Sequence, residues 1–168
     1  NNIDEIKRLG KEKGLGVIAG IEFRTEYGQK SVHMIGLFPD KFESTILNEA
    51  ALNDLVLAPL GLSKTEITRA ARSTGKTFRD DSAAYKEGLL QVQVDFKKAA
   101  NLIHKYGGLV SVHAGSKANS FEEEMKHEGS GPRNVSDLAD SLGTVKEELL
   151  REYIDICEVR NSKEAPFY

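Results

Sequence analysis

Short apolar runs of strand length alternate with helix-period segments along the whole chain, and no other feature constrains the fold as much. "GVIAGIEF", "KSVHMIGLF", "LVSVHAG" and "IDICEV" read as strands. Between them, "NIDEIKRLGKEKG" spaces Ile3, Ile6 and Leu9 helically, with Gly10 or Gly14 to end it. "KFESTILNEAALNDLVLAPLG" keeps helical periodicity up to Pro59 and Gly61. Ser63 and Glu66 have capping-box spacing for a short helix over "SKTEITRAAR". "VDFKKAANLIHKYGG" has Asp95 as N-cap and Gly107 and Gly108 as a stop, and "TVKEELLREY" precedes the last strand. A brief acidic helix is expected inside the polar region "SKANSFEEEMKHEGSGPRNVSD". Such alternation predicts an α/β domain with helices around a mostly parallel sheet or barrel. At 168 residues the chain reads as a single domain, 1–168, and the stretch at about 60–93 fits an insertion of loops and one or two helices.

Composition narrows the function classes. A net charge of −3 excludes a globally basic nucleic-acid binder, though not a local basic patch. No apolar run approaches the roughly 20 residues that span a bilayer, so no membrane partner is expected. One cysteine, Cys157, excludes an internal disulfide and accords with a cytoplasmic setting. "ARSTGKT", Ala71 to Thr77, imitates a phosphate-binding loop, but helical residues precede it and "FRDDSAAY" reads as no helix after it. The expectation there is a solvated basic loop.

The chemistry-bearing residues are set within the strands. His104 ends an amphipathic helix, which suits an imidazole, and His127 follows "EEEMK" on a polar segment as a solvated residue. His33 and His113 instead lie in apolar strands, and His113 ends "LVSVH" at the C-terminal edge where α/β proteins build sites. A lone strand histidine is more often a hydrogen-bonded core residue than a ligand. Two of them with Glu22, in "GIEF", form a donor set that Zn, Mn and Fe prefer. If the first two strands form a hairpin, a Gly28-Gln29 turn pairs Glu22 with Ile35 and Arg24 with His33. Glu22 and His33 are then diagonal neighbours on one face, and a Tyr27-Gly28 turn would pair them directly. Arg24, Lys117, Asn119 and Arg160 are candidate substrate contacts, since cations at a metal rim suit a phosphate. Arg24, Lys117 and Arg160 read equally well as exposed surface charges.

"AGIE" with Glu22, "SVHMIGLF" with His33 and "GGLVSVHAG" with His113 resemble, in order and spacing, the middle motifs of the PHP (polymerase and histidinol phosphatase) domain family. "YIDICEV" resembles the family's penultimate strand, and "SVHAGSKANS" is most similar to large bacterial proteins that fuse a PHP domain to an ATPase. The resemblance implies a distorted (β/α)7 barrel whose C-terminal rim holds two or three divalent metal ions and hydrolyses a phosphate ester. It makes Glu22 a metal-bridging carboxylate and His33 and His113 terminal ligands. The ATPase-fusion likeness favours a phosphodiester such as nucleic acid, with a fused ATPase domain as partner in the parent. The family's opening His-x-His and closing Asp-x-His are absent, so the chain is expected to be a central, incomplete piece holding its metals incompletely and with little or no activity. An open barrel edge would favour self-association. The alternative is a non-catalytic PHP-like module that binds a partner protein.

Overall fold

The computed structural model describes residues 3–27, 31–42, 49–125 and 135–168. Helix α1, Ile3–Glu12, has Asp4 and Glu5 in its first turn and Lys11 in its last, an order that suits the helix dipole. Gly14 then takes φ +68° to leave the helix. Strands β1 (Ala19–Thr25) and β2 (His33–Phe38) pair antiparallel. Of the two registers left open above, the structure has the one that pairs Glu22 with Ile35 and Arg24 with His33. The Gly28-Gln29 turn itself lies outside the described residues, as does His127.

After β2 the chain turns at α2 (Glu49–Leu52), which runs on through a π-helical turn, Asn53–Leu57, and a 3-10 turn, Ala58–Leu60. Gly61, at φ +77°, ends that run as expected. The expected cap of α3 (Lys64–Ser73) forms: Ser63 Oγ accepts from the Glu66 N–H at 3.2 Å. The other arm of the capping box differs, because Ser63 donates its own hydroxyl to Glu66 at 2.6 Å. The expectation that no helix follows "STGKT" is wrong. Helix α4 spans Asp81–Leu89, and Asp80 caps it by accepting from the Ala83 N–H at 2.8 Å. The phosphate-loop reading still fails, because α3 rather than a strand precedes the loop and the Asp80 carboxylate holds the helix N-terminus. Leu57, Ile67 and Tyr85 close a small satellite core around this helical pair.

Strand β3 (Gln93–Val94), unforeseen in the sequence, pairs parallel with β1. Helix α5 (Phe96–Lys105) follows its expected cap, with the Asp95 carboxylate accepting from the Lys98 N–H at 2.8 Å. Strand β4 (Leu109–His113) pairs antiparallel with β2, and β5 (Ile156–Glu158) parallel with β4. Between them come the acidic α6 (Phe121–Met125), α7 (Val135–Ser141) and α8 (Lys146–Glu148), the last extended by a π-helical turn through Tyr153.

Strand order is β3-β1-β2-β4-β5. Four strands point one way and β2, at the centre, runs against them, so the sheet is mostly parallel, as expected, with one reversed strand. The seven-stranded barrel is not closed: among the described residues the sheet has five strands and is open at β3 and β5. Closure needs consistent strand number, tilt and stagger, and the five strands described fall short of the seven that the expected barrel requires.

Phe23, Met34, Phe38, Val110 and Val112 share one face of the sheet and are buried against α5, whose Phe96, Ala99 and Ile103 are fully covered. Each such side chain contributes about 1.5–3 kcal/mol of burial. Gly36 leaves room for Ile103, since a Cβ there would lie 2.8 Å from Ile103 Cγ1. His104 fills the structural part expected of it: its Nε2 lies 2.8 Å from Asp155 Oδ2, which also accepts from the Val110 N–H at 2.8 Å.

Candidate metal and phosphate site

Directly paired residues share a sheet face, so the register fixes what stands together. Arg24 opposite His33, Ile35 opposite Ser111, and His113 opposite Glu158 place Glu22, Arg24, His33, His113 and Glu158 on the face turned away from α5. Their rim is where the C-terminal ends of β1, β4 and β5 meet the start of β2. The loop after β4 closes that rim. Asn119 takes a left-handed φ of +61°, accepts from the His33 N–H at 3.0 Å and donates from Nδ2 to the Ser31 carbonyl at 3.4 Å. Ser31 is left-handed too, at φ +75°, and its Oγ accepts from Gln93 Nε2 at 2.7 Å. Two non-glycine residues in this region, facing each other beside His33, are strain of the kind that collects at functional sites.

The hydrogen bonds fix both imidazole tautomers. His33 Nδ1 is 2.5 Å from Glu22 Oε1, and a carboxylate only accepts, so Nδ1 carries the proton. His33 is largely buried, and its other nitrogen, Nε2, has no hydrogen-bond partner. His113 Nδ1 donates to the Ala118 carbonyl at 3.0 Å, so in the neutral ring Nε2 is the lone-pair nitrogen, and it lies 3.5 Å from Glu158 Oε2. A proton on Nε2 or a bound cation between the two would make this contact attractive. The two rings sit 5.7 Å apart between centroids. Lys117 forms an ion pair with Glu158, so its charge is already engaged.

Each predicted residue thus has a place. Glu22 and His33 meet on one face, and His113 stands beside them. Arg24 is exposed with no ion-pair partner among the described residues, and so is Arg160, two residues beyond β5. Asn119 spends both its carbonyl and its amide on the rim itself. Sequence reasoning missed Glu158; the strand-end rule that picked out His113 applies equally to the acid ending "ICE". The donor set fits a divalent metal in kind: two imidazole nitrogens with fixed tautomers and a carboxylate. It is not gathered in advance, for no group of three or more His, Cys, Asp or Glu stands at metal-holding distances among the described residues.

No family model and no curated protein matches the sequence. Among solved structures, one from Bifidobacterium adolescentis, a proposed metal-dependent phosphoesterase, is similar with a TM-score of 0.39 and 16% identity. The match covers 92% of this chain and 61% of that one, so this chain spans less than two thirds of its length. At that similarity neither fold nor activity transfers.

Proposed function

We propose that the rim of Glu22, His33, His113 and Glu158 holds a divalent metal, Zn, Mn or Fe, and that the domain is a metal-dependent phosphoesterase. The observation carrying the reading is the buried, unpartnered Nε2 of His33 beside the lone-pair Nε2 of His113. A buried polar nitrogen without a partner costs about 1–3 kcal/mol, which a ligand would offset. The PHP-like motifs support the same assignment. When bound, the metal supplies an acidified water and a Lewis-acid contact for a phosphoryl oxygen.

The chain's own residues do the rest. Glu22 accepts a hydrogen bond from His33 Nδ1 and so aims Nε2 inward, and its second oxygen would be the one available to help hold the metal. The Ala118 carbonyl does the same for His113. Arg24 and Arg160 offer open cations to the phosphate, and Lys117 is available once Glu158 turns to the metal. The sequence has no His-x-His and no Asp-x-His, so we expect metal binding with slow turnover. A phosphodiester substrate such as nucleic acid, and an ATPase domain as partner, rest on the "SVHAGSKANS" likeness.

The test is metal content and affinity of the wild type against His33→Ala, His113→Ala and Glu158→Ala, with hydrolysis of bis(p-nitrophenyl) phosphate and p-nitrophenyl phosphate alongside. Equal trace metal in all four proteins would end the proposal. A partner-binding module is the second reading, favoured by exposed Leu15, Ile18 and Leu109 and by the open strand edges. Self-association measured by light scattering, abolished by Ile18→Lys, would support it.

A further inference from the structure

Beside the rim lies a cavity of about 310 Å³, running along the part of β1 that β3 leaves uncovered, since β3 pairs only with Arg24 and Thr25. Its walls are apolar: Val56, Leu57, Leu60, Leu89, Leu90 and Val92. Protein interiors are close-packed, and an open apolar volume of this size is characteristic of small-molecule pockets. Glu22 and Arg24 also line it. Both belong to the candidate site: Glu22 holds His33 Nδ1, and Arg24 stands opposite His33 in the sheet. The pocket and the candidate site thus share Glu22 and Arg24, and Arg24 has no ion-pair partner among the described residues.

We propose that this pocket takes the organic group of the substrate, a phosphate ester of an aliphatic or aryl alcohol, while Arg24 holds the phosphate oxygens. The assignment rests on the phosphoesterase reading but departs from it in substrate, since an apolar pocket fits a phosphate joined to an uncharged tail in place of the phosphodiester that the motif likeness favours. A guanidinium fork matches two phosphate oxygens, and leucine walls reward apolar carbon without selecting a polar pattern. Glu22 at the mouth repels a second anionic group, which favours a single phosphate joined to an uncharged tail.

Metal-free protein is titrated calorimetrically with methyl, butyl and hexyl phosphate and with 1-hexanol. Each methylene that enters the pocket should tighten binding about three- to fourfold. Hexyl phosphate carries five more methylenes than methyl phosphate, so entry of the whole chain should tighten binding about 240- to 1,000-fold on the same per-methylene scale. Arg24→Gln should weaken the three phosphates alike and leave hexanol unchanged. Leu90→Asn, at a residue 62% exposed and so tolerant of a polar side chain, should flatten the chain-length dependence. Equal affinity for methyl and hexyl phosphate overturns the proposal. So does hexanol binding as tightly as hexyl phosphate, or a chain-length dependence untouched by Leu90→Asn. Because no metal or turnover enters these readouts, chain-length-dependent binding without metal binding defeats only the phosphoesterase reading. Metal-dependent hydrolysis indifferent to chain length defeats only the pocket.

Discussion

Replacing His33 with leucine separates a ligand from a structural histidine. In the metal-free protein, Nε2 of His33 is buried and unsatisfied, a burden of about 1–3 kcal/mol that leucine removes. The loss is the Nδ1 bond to Glu22. That carboxylate is 54% exposed and returns to water, so the bond is worth about 0–1 kcal/mol. The net expectation is a metal-free gain of about 1 kcal/mol, or about 2–4 °C in the melting temperature for a chain of this size. With metal at about 100 times its dissociation constant, the wild type should gain about 2.7 kcal/mol, or about 5–10 °C, and His33→Leu close to nothing. The two proteins should therefore exchange rank when metal is added. Differential scanning calorimetry with and without Zn and Mn reads this directly. A metal-free loss above about 2 kcal/mol in the variant would mean that His33 is already satisfied as a structural residue. An undiminished metal response in the variant would be equally fatal.

Other expectations concern the scaffold. Asp155→Ala should destabilise by about 2–3 kcal/mol in denaturant, since it strands the buried Val110 N–H and frees His104, whereas Asp155→Asn keeps an acceptor and should recover most of that. Gly36→Ala pushes a Cβ to 2.8 Å from Ile103 and should lower stability by about 1–3 kcal/mol, with Ile103→Val partly restoring it. Burial pushes the Cys157 thiol up, and the Glu122 charge adds to this, so iodoacetamide should react slowly until the pH passes the ordinary thiol value of 9.0. The Tyr168 phenol is also pushed up, first by burial and then by the Glu122 carboxylate to which it donates. The folded state holds this proton more tightly. The contribution is therefore complete below the unfolded phenol value of 10.0 and lost as pH rises through the folded one. Unfolding midpoints should fall above that pH, and less so in Tyr168→Phe.

Features with a local cause were legible in the sequence. Period-2 alternation suggested the hairpin and left two registers open, between which the structure decided, while Asp95, Ser63 and Gly61 announced the helix ends they form. His113 was found because it ends a strand. Helix α4 was hidden because its stability is tertiary: Gly88 packs so closely that a Cβ would lie 2.7 Å from the Ile67 carbonyl, and Tyr85 donates to Asn53 at 2.9 Å. Two-residue β3 is too short to show a period. Pairing of β2 with β4 leaves no local mark, so the mixed sheet and Glu158 beside His113 emerged only in three dimensions. Lys117 reads as a free cation in sequence, yet Glu158 engages it across the β4–β5 edge.

The reversed central strand also sets an order of assembly. Glu22 and His33 are only 11 residues apart and meet through a hairpin, a structure that closes in microseconds. The contacts that bring the loop after β4 to the same rim, Asn119 with Ser31, span 88 residues. That is three doublings of loop length, or about 1.8 kcal/mol of additional closure entropy. Half of the rim is thus a local, early structure, and the half bearing His113 and Glu158 waits on the long-range pairing of β4. If the proposed metal binds, refolding in its presence should engage the Glu22–His33 pair before the second imidazole is in place.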